Sequence, residues 1–161
     1  MQANLDGAAC SEGISRKLTP VSLQRYDIPS IRKSFDIFAK IPASFHNSVV
    51  FLENYPIHGV VKIDANSTAY PDRARNILAA PLMNYPADAS LDAVSDGIID
   101  DIRDALVKGS GQSLVAYVNY AKGDESVEAL YGYEPWRLEK LRKLKKEYDP
   151  FGRFNFYAPI V

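Results

Sequence analysis

The run SLDAVSDGIIDDIRDALVKG, residues 90–109, constrains the fold most, because its apolar side chains recur at helical spacing on one side only. Val94, Ile98, Ile102, Ala105 and Leu106 fall along one face, and acids and bases fill the other. Ser90 is placed to cap the start, with Gly109 as the stop. A helix with a single apolar stripe has to bury it against another layer. The segment LVAYVNY follows almost at once. Its alternation puts Leu114, Ala116, Val118 and Tyr120 on one side and Val115, Tyr117 and Asn119 on the other. Both sides are largely apolar, the pattern of a strand covered on two faces.

The rest of the chain fits the same layering. Between Asp27 and Ile41, Ile31, Phe35 and Phe38 share one helical face, with Asp27 or Ser30 as N-cap. SVVFLEN and HGVVKID, rich in β-branched residues and separated by YPI, predict a hairpin of Ser48–Asn54 with His58–Asp64. Arg75–Tyr85 is apolar enough for a buried strand, in which Pro81 calls for a bulge or an edge. Beyond Tyr133, Pro135 opens a helix with Leu138, Leu141, Leu144 and Tyr148 on one side. Its basic run, Arg137 to Lys146, is expected to be a solvated face. Asp149-Pro150 closes that helix, and the aromatic tail FGRFNFYAPIV is expected to bury against something. Residues 1–25 mix small and polar residues without a period and are expected to be a loose lead-in. Residues 26–161 are expected to form a single α+β domain, a mainly antiparallel sheet with helices packed on one face.

Composition excludes several functions. Among 161 residues the formal net charge is −1, which gives no broad electrostatic reason to bind nucleic acid or an anionic membrane. No apolar run approaches the length that spans a bilayer, and no leader pattern opens the sequence, so a cytoplasmic location is expected for the chain as given. Cys10 is the sole cysteine, so no intramolecular disulfide is possible, and it is expected to be inert. His46 and His58 have no metal-ligand spacing, and no metal site is expected. Asp100 and Asp101 read as solvated charges, and Asp72 with Arg73 as a local ion pair in a turn.

AYVNYAKGDE followed by LYGYEPWRLEKLRKLKKEYDPFGRFNFYAPI carries a more specific signal. Tyr117, Asn119 and Tyr120, then Tyr131-Gly132, Arg137-Leu138, Tyr148-Asp149-Pro150, Phe154 and Pro159 stand in an order that resembles the carboxy-terminal segment of berberine bridge enzyme-like FAD-linked oxidoreductases. The segment covers about residues 113–161. STAYPDRARNILAAPLMNYP, residues 67–86, is similar to the part of the family's substrate domain that precedes it. One departure is Gly152, where the family commonly has Asn; both residue types tolerate a positive φ. The family's amino-terminal flavin domain has no counterpart here, and neither GxGxxG nor GxxxxGK occurs.

The resemblance implies FAD as cofactor and a small hydroxylated or natural-product substrate, oxidised only together with a flavin-binding domain. It implies Tyr120 as the catalytic, substrate-binding phenol, Asn119 as a group binding substrate or flavin, and Tyr117 as a cofactor contact. A phenol with an ordinary pKa near ~10 is a poor base at neutral pH, so a neighbour such as Lys122 or Tyr117 would have to stabilise the phenolate. The expected partners are the flavin domain in trans or a second copy in a homodimer, which would cover the apolar sheet face left open. Two alternatives stay open: a flavin-free isomerase or cyclase of secondary metabolism using the same pocket, and a non-catalytic dimeric module.

Overall fold

The computed structural model describes residues 11–160; Cys10 and the first ten residues of the expected lead-in lie outside the described residues. Four strands, β1 (Ile14–Leu18), β2 (Val21–Leu23), β3 (Val49–Asn54) and β4 (Ile77–Pro86), form one antiparallel sheet among them. The ten-residue β4 is its centre. β1 and β2 pair along one edge of β4, in the registers Leu18↔Leu82 and Val21↔Ala79, and β3 pairs along the other, with Phe51↔Ala80.

Residues 14–23 are therefore sheet rather than loose lead-in. ISRKL has no hydrophobic alternation of its own, and its strand is fixed by pairing with β4. The predicted hairpin is likewise replaced: β3 pairs with β4, and residues 58–64 form turns. Pro81, expected at a bulge or an edge, sits instead within the central strand of the sheet. Its carbonyl accepts from the Thr19 N–H at 3.3 Å, opposite the Thr19-Pro20 break between β1 and β2. A strand residue's N and O point to the same side, so the position lacking an N–H faces the one place where the neighbouring edge is interrupted.

The helices are α1 (Ile28–Phe38), α2 (Asp92–Ser110), α3 (Val127–Tyr131) and α4 (Pro135–Tyr148). Asp27 caps α1, accepting from the Ser30 N–H at 3.0 Å. Its buried side is Ser30 and Ser34, flanked by Ile31 and Phe38, while Phe35 is half exposed. α2 begins one residue later than the Ser90 cap predicts, because Asp88 caps a short 3₁₀ turn, Ala89–Leu91, that feeds into it. Its buried face is Ser95, Ile99, Ile102, Ala105 and Leu106, rotated from the expected stripe so that Val94 is exposed.

α1 and α2 cover one face of the sheet. Val21, Leu23, Ile77 and Ala79 meet Ile102 and Leu106, and a second cluster joins Met83 and Tyr85 to Phe45 and Ile99. Burying side chains of this size is what stabilises the layer, at about 1.5–3 kcal/mol each. The opposite face carries Val49 and Phe51, 40% and 41% exposed.

Gly109 does not end α2; the helix runs on to Ser110, and Gly111 at φ +67° closes it. Gly109 permits a close helix crossing instead. A Cβ there would stand 2.3 Å from Ser30 Cβ. Gly109→Ala is expected to destabilise by about 1–3 kcal/mol, since overpacking outweighs the gain in helix propensity. Urea unfolding checks it; a stabilised variant would show that the two helices are not held this closely.

Candidate functional site

The segment that carries Tyr117, Asn119 and Tyr120 is not a strand. After Gly111 the chain runs extended beside β2, but β2 is only three residues long and gives it one backbone bond, Ser22 N–H to the Val115 carbonyl at 2.8 Å. On its other side Ala116 N–H bonds the Ala129 carbonyl of α3 at 2.9 Å. No ladder can propagate between partners of that kind, and residues Val118–Tyr120 tighten into a 3₁₀ turn. The alternation in the sequence reflects burial between β2 and α3 rather than sheet pairing.

The turn puts two phenols side by side. The rings of Tyr117 and Tyr120 meet edge to face, with centroids 5.4 Å apart. The exposed Asn119 amide donates from Nδ2 to the Tyr117 hydroxyl at 2.8 Å. The three predicted residues are thus brought together. Tyr120 and Asn119 face a shallow groove that Arg16, Lys17 and Leu18 of β1 complete, and Tyr117 faces a larger cavity beside it.

That cavity, about 720 Å³, opens on the sheet face away from α1 and α2. Its floor includes Ser22 and Leu78, cross-strand partners that alternate with the helix-facing Val21, Leu23, Ile77 and Ala79. Its walls carry Tyr55, Tyr70, Tyr117 and Tyr131. A hydrogen bond to Glu53 at 2.8 Å, with burial and the Glu53 charge, pushes the Tyr55 phenol up to about 12. Burial raises Tyr70, helped by the Asp72 charge, and burial raises Tyr131. These three phenols stay protonated at neutral pH, and Tyr55 and Tyr131 donate to Glu53 and to the Ala158 carbonyl.

Tyr55, Tyr70 and Tyr131 are cavity residues that the sequence reading did not single out as site residues. Tyr-Pro occurs three times, at 55–56, 70–71 and 85–86, and a residue before proline is held extended. Tyr85 belongs to the helix-side core, so the dipeptide does not by itself mark a cavity residue, and it does not reach Tyr131. Asp72, nearly buried, pairs with Arg75 at 3.1 Å rather than with Arg73. Arg75 also reaches the Gln112 side chain at 2.9 Å, and the Asp72 and Arg75 charges on the cavity lining offset each other.

Two charged residues depart from expectation. The Lys122 ammonium is taken up by acids: it lies 3.0 Å from Asp100, 3.4 Å from Asp96 and 3.4 Å from Asp124. Burial works to lower its pKa, but the Asp100 bond and the surrounding carboxylates raise it, so it remains an ammonium. Asp100 is accordingly paired, not simply solvated. Arg137 is buried, with 1% of its surface exposed. It donates to the Thr68 and Ala65 carbonyls at 2.8 and 3.1 Å, lies 3.3 Å from Glu134, and stacks 4.6 Å over Trp136. This guanidinium ties α4 to the segment that leads into the Tyr70 wall.

The carboxy-terminal tail comes back to the turn. Tyr157 places its hydroxyl 2.6 Å from the Val118 carbonyl and 2.9 Å from that of Ala121, and Tyr131 donates to the Ala158 carbonyl at 2.8 Å. Gly152 adopts φ +61°, the left-handed turn its substitution for Asn implies. The other tail aromatics, expected to be buried, are not: Phe151, Phe154 and Phe156 are 77–97% exposed. Among the described residues no helix is long and apolar enough to cross a membrane, and no group of three His, Cys, Asp or Glu is placed to hold a metal ion.

Residues 116–161 match the family described as berberine and berberine like. The FAD-linked oxidoreductase anuG of Penicillium roqueforti is 40% identical over 98% of this chain, and a FAD-linked oxidoreductase of Gibberella zeae is 39% identical over 97%. The chain spans about a third, 32%, of the length of either relative. Among solved structures, the carbohydrate oxidase of Microdochium nivale in complex with a substrate analogue superposes on 91% of this chain, with a TM-score of 0.71 at 22% identity and 32% of its own length covered. GilR, an oxidoreductase that catalyses the terminal step of gilvocarcin biosynthesis, superposes on 88% with a TM-score of 0.68 at 15% identity, again over 32% of its length. The chain thus carries the fold and the carboxy-terminal segment of the berberine bridge enzyme-like FAD-linked oxidoreductases, and belongs to that family over the third of their length that it spans.

Proposed function

We propose that this chain is the substrate side of a FAD-linked oxidoreductase that oxidises a hydroxylated natural product, with Tyr120 as the group that takes the substrate's hydroxyl proton. The observation that carries the reading is the juxtaposition of the Tyr117–Asn119–Tyr120 turn with an open, phenol-walled cavity of about 720 Å³. A cavity of that size accepts a multi-ring or similarly bulky scaffold. Tyr55 and Tyr131 already donate to Glu53 and the Ala158 carbonyl, so Tyr70 is the raised phenol left to meet a ligand's oxygen acceptor, and the neutralised Asp72–Arg75 pair gives no reason to select a charged ligand. Relatives at 40% and 39% identity that are FAD-linked oxidoreductases support the reaction class.

The residues present fit one side of a flavin. Asn119 exposes an amide that still has an acceptor free for a ring edge, and the Tyr117–Tyr120 pair supplies aromatic surface beside it. Among the described residues no glycine-rich loop cradles a diphosphate, so that part of the cofactor is held by a flavin-binding portion, in trans or on a longer chain, or at the contact with a second copy. When bound, the flavin supplies the hydride acceptor. To accept the hydroxyl proton Tyr120 has to be the phenolate, stabilised from the flavin side because Lys122 is held by acids. Asn119 orients the cofactor edge or the substrate oxygen, and Tyr117 separates the turn from the cavity that receives the scaffold.

The test replaces the matching third of the Penicillium roqueforti oxidoreductase with this chain and follows turnover of that enzyme's substrate. Tyr120→Phe removes the hydroxyl but keeps the ring, and is expected to lower kcat by about 10²-fold, the usual weight of a positioned acid or base, with bound FAD retained. Turnover within twofold of the unsubstituted hybrid would sink the assignment.

A further inference from the structure

We propose that Glu125 is a positioning residue for Tyr120, a role that rests on the reading of Tyr120 above. The 3₁₀ turn has few backbone bonds of its own: Tyr120 N–H to the Tyr117 carbonyl at 2.9 Å and Ala121 N–H to the Val118 carbonyl at 3.3 Å. A turn of that kind holds a side chain in place only if something outside it is rigid. Glu125 supplies the rigid point. Its side chain is 0% exposed. One oxygen accepts from the Lys122 N–H at 2.9 Å and lies 3.4 Å from the Thr19 hydroxyl, and the other accepts from the Gly123 N–H at 2.8 Å.

Thr19 is itself fully buried, at the strand break opposite Pro81. The carboxylate therefore fastens the chain just past Tyr120 to the strand break that flanks β4. A second tether runs to α2, through Lys122 to Asp100 and Asp96 and through Arg103 to Asp124 at 2.8 Å. A third is Tyr157, whose hydroxyl brackets the same turn from the tail. Tyr157 holds backbone carbonyls of the turn from the tail, while Glu125 holds the backbone N–H groups of Lys122 and Gly123, two and three residues past Tyr120, from its buried position beside Thr19. A buried carboxylate taking two N–H bonds and a hydroxyl is a strong, directional anchor.

The full chain can be examined by NMR with Tyr117 and Tyr120 assigned. In Glu125→Ala the cross-peaks between the two rings are expected to vanish and the Tyr120 amide to exchange at least about tenfold faster, with the α2 amides unchanged. Ring cross-peaks and Tyr120 exchange like those of the parent would overturn the proposal, even if the melting temperature fell, since a merely structural role moves stability without freeing the phenol. Should Glu125→Ala fail to fold, Glu125→Gln keeps the volume but sets an amide donor against an N–H, and the same two readouts decide. The hybrid enzyme separates the two ideas. If Tyr120→Phe leaves turnover intact while Glu125→Ala still frees the ring pair, positioning stands and the catalytic assignment falls. If Tyr120→Phe abolishes turnover but Glu125→Ala changes neither ring pair nor kcat, the positioning role falls.

Discussion

Phe45→Ala is expected to cost about 3–5 kcal/mol, the usual range for emptying a buried aromatic position. Phe45 is 0% exposed, and its ring lies 5.1 Å from that of Tyr85, tilted by 44°. It closes the end of the core where Met83, Tyr85 and Ile99 meet, and Ile41 and Leu91 pack around it. The site has little scope to collapse, because Tyr85 is held in place by a 2.6 Å bond from its hydroxyl to Asp92. Against a total stability of about 5–15 kcal/mol the loss is severe, and it corresponds to a fall in melting temperature of roughly 10 °C for a chain of this size. Urea unfolding of the two proteins gives the difference. A loss under about 1 kcal/mol, well below the range for such sites, would mean that the cluster is not packed as described.

Arg137→Leu is expected to destabilise by about 2–4 kcal/mol, the scale for breaking a buried, charge-assisted hydrogen-bond set. Leucine keeps apolar volume beside Trp136 but abandons the Thr68 and Ala65 carbonyls. The same change should loosen the 65–71 segment that walls the cavity, so ligand affinity should fall together with stability. Arg137→Lys would not rescue it, because one ammonium cannot span two carbonyls in the planar fork that guanidinium supplies. Full rescue by lysine would show that charge alone, rather than the fork, is what the site requires.

Much of the layered architecture was legible, for reasons that can be read in particular residues. α2, α1 and β4 declare themselves because their apolar periods are long and their ends carry cap or breaker residues. The 114–120 segment misleads because alternation records which side chains are buried, not what buries them; here α3 and the cavity stand where a second strand would. β1 was illegible for the opposite reason, since ISRKL earns its conformation entirely from β4. The burial of Arg137 depends on carbonyls about seventy residues away in sequence, which no local pattern encodes. At the candidate site, the Tyr117–Asn119–Tyr120 grouping was visible through family resemblance. The residues that hold it, Glu125 and Thr19, lie 106 apart in the chain and meet only in three dimensions. Lys122 was noticed, but for the wrong partner: proximity in sequence to Tyr120 suggested a cation for the phenol, while the acid-rich side of α2 claims it.

The proline at the middle of β4 also acts as an index mark for the whole sheet. Side chains alternate with a period of two, so a slip of β1 and β2 along β4 has to move by two residues to keep the core face inward. Any such slip would carry the missing N–H of Pro81 away from the Thr19-Pro20 interruption and set it against a strand carbonyl left without a donor. The competing alignments are thereby penalised one by one, and the edge that carries Thr19, the buried anchor of the Tyr120 turn, is delivered to a single address.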